Sequence, residues 1–405
     1  MTTEIRVLDS EDDLIAAANV FRAAMVGFPP LSNLAPGQIT TLLEDGRTIG
    51  AFVAGQLVGT ADAVTSGLTL PGGAIVSHAA VSHIGVLPSF TRKGVATALM
   101  RHQMRDIAAR GEVVATLRAS EATIYERYGY GVASSSQTVE VQTARAALRP
   151  DVGAGGPVRL LDPTEVWDVL PRICADNRPS RPGTVDRRDV WWRGTRMRTE
   201  SSSGPWYVAV HGEPGSESGF ARYRPVDTDA WFVNNQRTVA VEDFFAPSTQ
   251  AYLGLLRFLL GLDLIDRVVF WMLPADDPLP WLFVDRRAVR VSAVHDETWL
   301  RVVDTRKALA ARRYVGDGDV TVAVNDPLLQ NNSASFAVTG GGAEPTDRRP
   351  QLETGIAGLA AVLLGGATWR SLAVAGLARA DDPAAVAVAD RLFAVCEAPH
   401  AGFFF

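Results

Sequence analysis

The hydrophobic pattern changes period once, sharply, between Ala74 and Met104. Ala74–Val86 is a near-continuous run of small and β-branched residues, the pattern of a strand buried on both faces. Val95, Ala96, Leu99, Met100 and Met104 then recur at helical spacing. Between them lies a short polar turn with positive charge at Arg92 and Lys93, closed by Gly94. Strand, basic turn, glycine, helix is an arrangement that can hold a phosphate. The first amides of a helix have no partner inside the helix, and the helix dipole favours an anion there. Gly94 lets the backbone approach closely, because it has no Cβ. The same pattern also suits an ordinary strand–turn–helix with a basic first turn.

Around this stretch the pattern predicts a strand at Glu4–Leu8 and a helix from Leu14 to about Val26, with acids at its positive end. Gly27-Phe-Pro-Pro30 ends that helix, and a short one is expected near Gln38–Leu43. Arg47–Val53 and Leu57–Leu68 read as a hairpin around Ala54-Gly55-Gln56. Val113–Leu117 reads as a strand, Glu121–Tyr128 as a short helix and Ser134–Val141 as another strand. Arg149–Pro157 is a turn-forming linker, after which the same order restarts. Strands are expected at Val158–Leu161, Trp206–Val210, Gly219–Tyr223, Thr238–Phe245 and Arg267–Met272. Helices are expected from a cap at Asp162–Glu165 to Ala175, at Asp186–Met197 and at Ser248–Leu262. In this repeat Ala246-Pro247 replaces the basic glycine turn. In the last hundred residues Thr298–Val303 leads to a short helix at Thr305–Arg312, and strands are expected at Val320–Val324 and Ser335–Thr339. A turn-rich stretch, Gly340–Pro350, and alanine-rich helices at Gly355–Leu364 and Ala384–Phe393 follow.

The fold class is therefore α/β (α+β), with domains expected at 1–148, 149–300 and 301–405. A length of 405 residues agrees with that, and 47% hydrophobic against 21% charged residues marks a globular chain. A net charge of −6 gives no reason to expect nucleic acid or an anionic membrane as partner, and tolerates cationic substrates. Two distant cysteines, Cys174 and Cys396, make no disulfide framework, which suits a cytoplasmic location. The six histidines show no metal-ligand spacing, so no metal is expected. The N-terminus lacks the apolar core of a signal peptide, and the longest apolar runs are too short to span a bilayer.

Three constellations carry the candidate chemistry. Thr91-Arg-Lys-Gly-Val-Ala96 resembles the acetyl-CoA pyrophosphate loop of the GNAT acetyltransferases, Arg/Gln-x-x-Gly-x-Gly/Ala, with Thr91 departing from the usual Arg or Gln. The resemblance implies that the backbone of Ile84-Gly85-Val86 pairs with the pantetheine arm, with Gly85 in a bulge that splays the strand. Tyr125-Glu-Arg-Tyr-Gly-Tyr130 is similar to the family's Tyr-x-x-x-Gly-Phe/Tyr, in which the tyrosine protonates the leaving thiolate. A phenol is apt for this, since its pKa of ~10 lies near that of a thiol. Ser120 and Glu121 are expected to open the helix that carries it. Tyr128 and Tyr130 read as packing residues.

The third constellation is the ending His400-Ala-Gly-Phe-Phe-Phe405. Three aromatics burying on the order of 150–250 Å² each should dock into the protein. A carboxyl buried against them has its pKa raised toward the range of a useful base. Simple hydrophobic docking, with the carboxylate at the surface, is the other reading of the residues.

Two GNAT-like units, a sterol-carrier-like third domain, Arg118-Ala-Ser-Glu-Ala-Thr-Ile-Tyr125 and a terminal Phe together resemble the Eis (enhanced intracellular survival) N-acetyltransferases of actinobacteria. The resemblance implies Tyr125 as general acid and the Phe405 carboxylate as general base. It implies acetyl-CoA contacts at Ile84, Gly85, Val86, Arg92, Lys93, Gly94, Val95, Ala96, Thr97, Ser120 and Glu121. It also implies a homohexamer that acetylates amines of aminoglycosides. Two departures bear on the substrate. Phe404 stands where an acidic residue precedes the last Phe, and Val26-Gly-Phe-Pro-Pro30 lacks a second acid. An acceptor less charged than a polycationic drug is expected. Protein-lysine acetylation and a non-catalytic lipid-binding role are the alternatives. His83 and His102 are further candidate bases, or else exposed or capping histidines.

Overall fold

The structure is a computed structural model that describes residues 2–31, 34–231, 233 and 236–405. The first stretch runs β1 (Glu4–Val7), α1 (Glu11–Met25), α2 (Gln38–Thr41), β2 (Ile49–Val53), β3 (Gln56–Thr69), β4 (Ile75–Val86), α3 (Val95–Ala109), β5 (Val114–Leu117) and β6 (Tyr130–Gln142). The second runs β7 (Val158–Leu160), α4 (Val166–Asp176), α5 (Asp189–Ser201), β8 (Tyr207–His211), β9 (Gly219–Val226), β10 (Thr238–Phe245), α6 (Thr249–Leu260), β11 (Arg267–Pro274), α7 (Leu279–Leu282) and β12 (Val289–Val302). The last contains α8 (Thr305–Ala311), β13 (Asp319–Asn325), β14 (Ala334–Thr339), β15 (Gly342–Pro345), β16 (Leu352–Gly355), α9 (Ile356–Leu363), α10 (Trp369–Val374), β17 (Ala378–Ala380) and α11 (Pro383–Leu392).

The chain divides into two compact units. One holds Met1–Ser134, Thr298–Cys396 and Phe405; the other holds Ser135–Glu297 and Glu397–Phe404. Among the described residues, no helix is long and apolar enough to cross a membrane.

In the first unit the strands lie in the order β1-β2-β3-β4-β5, followed by the end of β12. β3 and β4 form a long antiparallel hairpin from Thr69↔Ile75 to Gly59↔Val86, with a register shift between Thr60 and Asp62. α1 is capped by Ser10, whose hydroxyl accepts from Asp13 N at 3.2 Å, so its acids form the first turn and the helix begins at Glu11 instead of Leu14. It buries Leu14, Ala17 and Val20 and packs against β3 and β4. The close approach falls on Gly85, where an added Cβ would lie 2.9 Å from Phe21 Cα and 3.1 Å from Ala24 Cβ. Gly85→Ala is therefore expected to destabilise the fold by about 1–3 kcal/mol. An unchanged thermal midpoint would show that α1 can shift freely.

A second sheet in the same unit has the order β15-β14-β13-β16-β17, with β13 and β16 parallel. Trp369, Leu359, Leu363 and Leu364 are fully buried beside it. Arg301 and Asp326 form an ion pair whose side chains are both 0% exposed, and Arg301 Nε donates to Tyr128 O at 2.9 Å. That pair fixes the backbone at Tyr128-Gly129, and the Nε of Arg301 lies 2.6 Å from where a Gly129 Cβ would be.

The second unit repeats the pattern. β10 pairs β9 antiparallel and β11 parallel, and Tyr223, Val241, Leu255, Leu259 and Phe270 share its core. α6 is capped by its own Ser248, whose hydroxyl accepts from Ala251 N. Residues 397–404 are bound within this unit through backbone groups. Ala398 N donates to Asp276, His400 N to Pro182 O, and the Ala401 and Gly402 N–H groups to the buried Glu297. Where β10 runs beyond its ladder with β11, Arg187 pairs with Asp243 at 2.6 Å and lies under the Phe403 ring.

Several expected features differ. Glu121–Tyr128 is a series of turns ending in one 3₁₀ turn, Glu126–Tyr128, closed by Gly129 at φ 88°. The burial of Tyr125, Tyr128 and Tyr130 together holds this segment out of an α-helix. Ser120 is thus not a helix cap. Asp162 caps a turn at Thr164, and the helix starts only at Val166. The turn-rich stretch 340–350 contains β15, paired to β14, and β16, α10 and β17 were not foreseen. Of the three terminal phenylalanines, Phe403 is buried and Phe404 is 69% exposed, because the backbone bonds of the tail aim only one of them inward.

Candidate active site

The site is built on β4. Its parallel ladder to β5 covers only His78↔Val114 to Ala80↔Thr116, while its antiparallel ladder to β3 continues to Val86. The ladder with β5 ends at Ala80, as β5 itself ends at Leu117, and the rest of β4 keeps β3 as its ladder partner. The irregularity that turns the strand lies at His83, with φ 49°, between the pairs Asp62↔Ser82 and Thr60↔Gly85. Gly85 itself is in the ladder, so the bulge expected there sits two residues earlier; Gly85 instead admits α1. Ile84 and Val86 are partly buried against the core.

Past β4 the chain makes one 3₁₀ turn, Pro88–Phe90, and enters α3. Arg92 (φ 60°) and Gly94 (φ 85°) are both left-handed, on either side of Lys93. Such a loop turns successive N–H groups inward, an anion-binding concavity. Gly94 caps α3 with no side-chain bond, and a Cβ there would meet nothing within 4 Å. Lys93 is folded back, its Nζ donating to Ser89 O at 2.8 Å and lying over the Phe90 ring. Val95 is 1% exposed and packs with Leu99, so only its N–H can face a ligand. Ala96 and Thr97 are half-buried in the same turn, and Thr97 Oγ1 lies 3.1 Å from the Tyr128 hydroxyl. The uncapped amides of α3, the left-handed turn and the length of β4 beyond its ladder with β5 suit a long donor with a pyrophosphate. The matching helix α6 has its first turn closed by Ser248, so the second unit does not offer the same anion site.

Tyr125 is 5% exposed, within the cluster of Met100, Met104, Leu117, Tyr128, Tyr130 and Trp299. Burial raises its pKa, only partly offset by a hydrogen bond with Ser120. The phenol therefore holds its proton through and above the ordinary tyrosine value of 10.0. Glu121 is exposed and accepts from Thr123 Oγ1 at 3.2 Å, within its own turn. Arg118, two residues before Ser120, has its guanidinium 5.5 Å from the centre of the Phe405 ring. Tyr130 is fully buried, and His78 is buried beside Thr116 with its pKa pushed down to about 3 by burial.

One pair escaped the sequence reading. His83 Nδ1 lies 2.6 Å from Asp62 Oδ2, and Ser82 Oγ donates to Asp62 Oδ1 at 2.6 Å. The partners are 21 residues apart and meet only through the β3–β4 register. An acid inside the apolar run Val58–Leu70 was the available signal. His102 lies on α3, and among the described residues no group of three His, Cys, Asp or Glu side chains could hold a metal ion.

Comparison with known proteins shows what the chain is similar to. Models of an acetyltransferase (GNAT) domain match residues 4–133 and 183–302, and one of a sterol carrier protein domain matches 305–402. The chain is 33% identical to an uncharacterized N-acetyltransferase of Streptomyces avermitilis over 98% of both chains. It is 30% identical to the N-acetyltransferase Eis of Mycobacterium tuberculosis over 88% of both. The crystal structure of Eis1 from Mycobacterium abscessus matches with a TM-score of 0.91 at 46% identity, covering 99% of this chain and 100% of that one. The GNAT domains imply acetyl-CoA as donor. With two GNAT domains followed by a sterol-carrier-like domain, the chain belongs to the Eis family of N-acetyltransferases.

Proposed function

We propose that the chain transfers acetyl from acetyl-CoA to the amine of a small molecule, with Tyr125 as general acid and the α-carboxylate of Phe405 as general base. The amine nitrogen attacks the thioester carbonyl carbon and the C–N bond forms. The carboxylate accepts a proton from that nitrogen. The C–S bond breaks, and Tyr125 gives its proton to the thiolate. The products are the amide and CoA thiol, and proton exchange with solvent restores both groups. The observation that carries this reading is the neutral, buried Tyr125, bonded to Ser120 two residues beyond the arginine that stacks on Phe405. The first-turn amides of α3 and the part of β4 beyond its ladder with β5 support the donor site.

On the acceptor side, α1 and the residues after it offer Phe21 and Phe28, whose ring centroids are 6.2 Å apart, together with the exposed Val26. Apolar surface at these positions supports an amine with an aromatic or apolar body over a polycationic aminoglycoside. An arylalkyl mono-amine is expected to show a kcat/KM about tenfold or more above that of a kanamycin-type polyamine, a difference of ~1.4 kcal/mol. Thiol release measured against both amines checks this; equal values would overturn the substrate preference.

A further inference from the structure

Between pH 6 and 8 an alkylamine arrives as the ammonium, and the nitrogen must shed two protons to become a secondary amide. The Tyr125–Phe405 mechanism removes one of them. An amine with the pKa of a lysine side chain, ~10.4, is neutral in only roughly one molecule in 2,500 at pH 7, so the first proton also needs an acceptor. We infer that His83, oriented by Asp62, is that acceptor: it takes the first proton of the bound ammonium and delivers the neutral amine. This rests on the acetyl-transfer reading above.

Four observations carry the assignment. His83 sits at the bulge in β4, three residues past the last pair of the ladder with β5 and one residue before Ile84. Its backbone is left-handed at φ 49°, a conformation that costs energy and is found at functional positions. Its side chain is 48% exposed, while the carboxylate behind it, Asp62, is 4% exposed. The Phe21 ring meets the imidazole edge-on at 4.9 Å, fixing the ring from the α1 side. A buried acid held on one ring nitrogen is the arrangement that orients a histidine base. Among the groups that face the pair are Ser82 on β4, the Phe21 ring on α1, and Arg47, whose charge acts on Asp62. Burial works against the Asp62 charge, yet His83, Ser82 and Arg47 together hold its pKa below the usual value. Asp62 is therefore ionised and able to support a transient imidazolium.

The proton balance is closed. RNH₃⁺ gives one proton to the imidazole and becomes RNH₂. The amine then reacts as above, and the imidazolium returns its proton to solvent. The net change is ammonium plus acetyl-CoA to amide, CoA thiol and one proton.

The test uses the whole chain, its His83→Asn and Asp62→Asn variants, and two acceptors: benzylamine, protonated at pH 7, and benzohydrazide, neutral at pH 7. Asn tolerates the positive φ at position 83. Acetyl-CoA affinity by calorimetry checks the fold of each variant. His83→Asn is expected to lower kcat/KM for benzylamine about 10²-fold at pH 7, at least about ten times the loss seen with benzohydrazide. The benzylamine deficit should shrink as pH rises toward the amine's own pKa. Asp62→Asn should follow the same pattern. Equal losses for the two acceptors at every pH, in both variants, would overturn the role of His83 while leaving acetyl transfer standing. No turnover of either acceptor by the unsubstituted chain would fail the acetyl-transfer reading itself, and this inference with it.

Discussion

Replacing Tyr125 with phenylalanine is expected to lower kcat by about 10²–10⁴-fold while leaving acetyl-CoA affinity close to that of the unsubstituted chain. The ring is part of a packed core with Tyr128, Tyr130 and Trp299, so phenylalanine fills the same volume and only the hydroxyl is lost. What disappears is the proton for the departing thiolate and the bond to Ser120. Because burial raises the phenol's pKa, the acid form persists across the neutral range. No alkaline loss of activity from this group should then appear below the ordinary value of 10.0. Steady-state kinetics beside calorimetry separates the two effects. A variant with unchanged kcat would remove Tyr125 from the proton path.

Deleting Phe405 should also lower kcat by about 10²–10⁴-fold, again with acetyl-CoA affinity retained. The preceding tail is held by backbone bonds to Glu297, Asp276 and Pro182, none of which involves residue 405, so the deletion leaves that anchor intact. It moves the terminal carboxylate back to Phe404, whose side chain is 69% exposed. Phe405→Ala is the informative partner: it keeps the carboxylate at its position and loses only the ring over Arg118. Most of the rate should survive in Phe405→Ala and not in the deletion. Equal losses would mean that the ring matters and the carboxylate does not.

Much of the architecture was legible because local pattern dictates it. The order of strands and helices in both GNAT units follows from period-2 and period-3.6 apolar runs, and β10 has the bounds its sequence predicts, Thr238–Phe245. The basic turn with Gly94 and the absence of its counterpart at Ala246-Pro247 were both readable from residue type. What local pattern could not show is tertiary. The segment at 121–128 looks helical, yet three tyrosines packing into one core keep it in turns. Asp62 and His83 are joined by strand register, and Glu297 meets the Ala401 amide across 104 residues of sequence. The tail aromatics look equivalent in sequence, and the backbone bonds at Ala401 and Gly402 make them unequal, with Phe403 in and Phe404 out.

The most direct measurement is CoA-thiol release from acetyl-CoA by the intact chain across a panel of mono-amines and polyamines, with the acetylated product weighed by mass spectrometry. Release that requires an amine, together with a 42 Da gain on that amine (acetyl replacing hydrogen, about 42 by atomic masses), is the predicted result. Thiol release that is the same with and without every amine, with no acetylated product, would contradict the account.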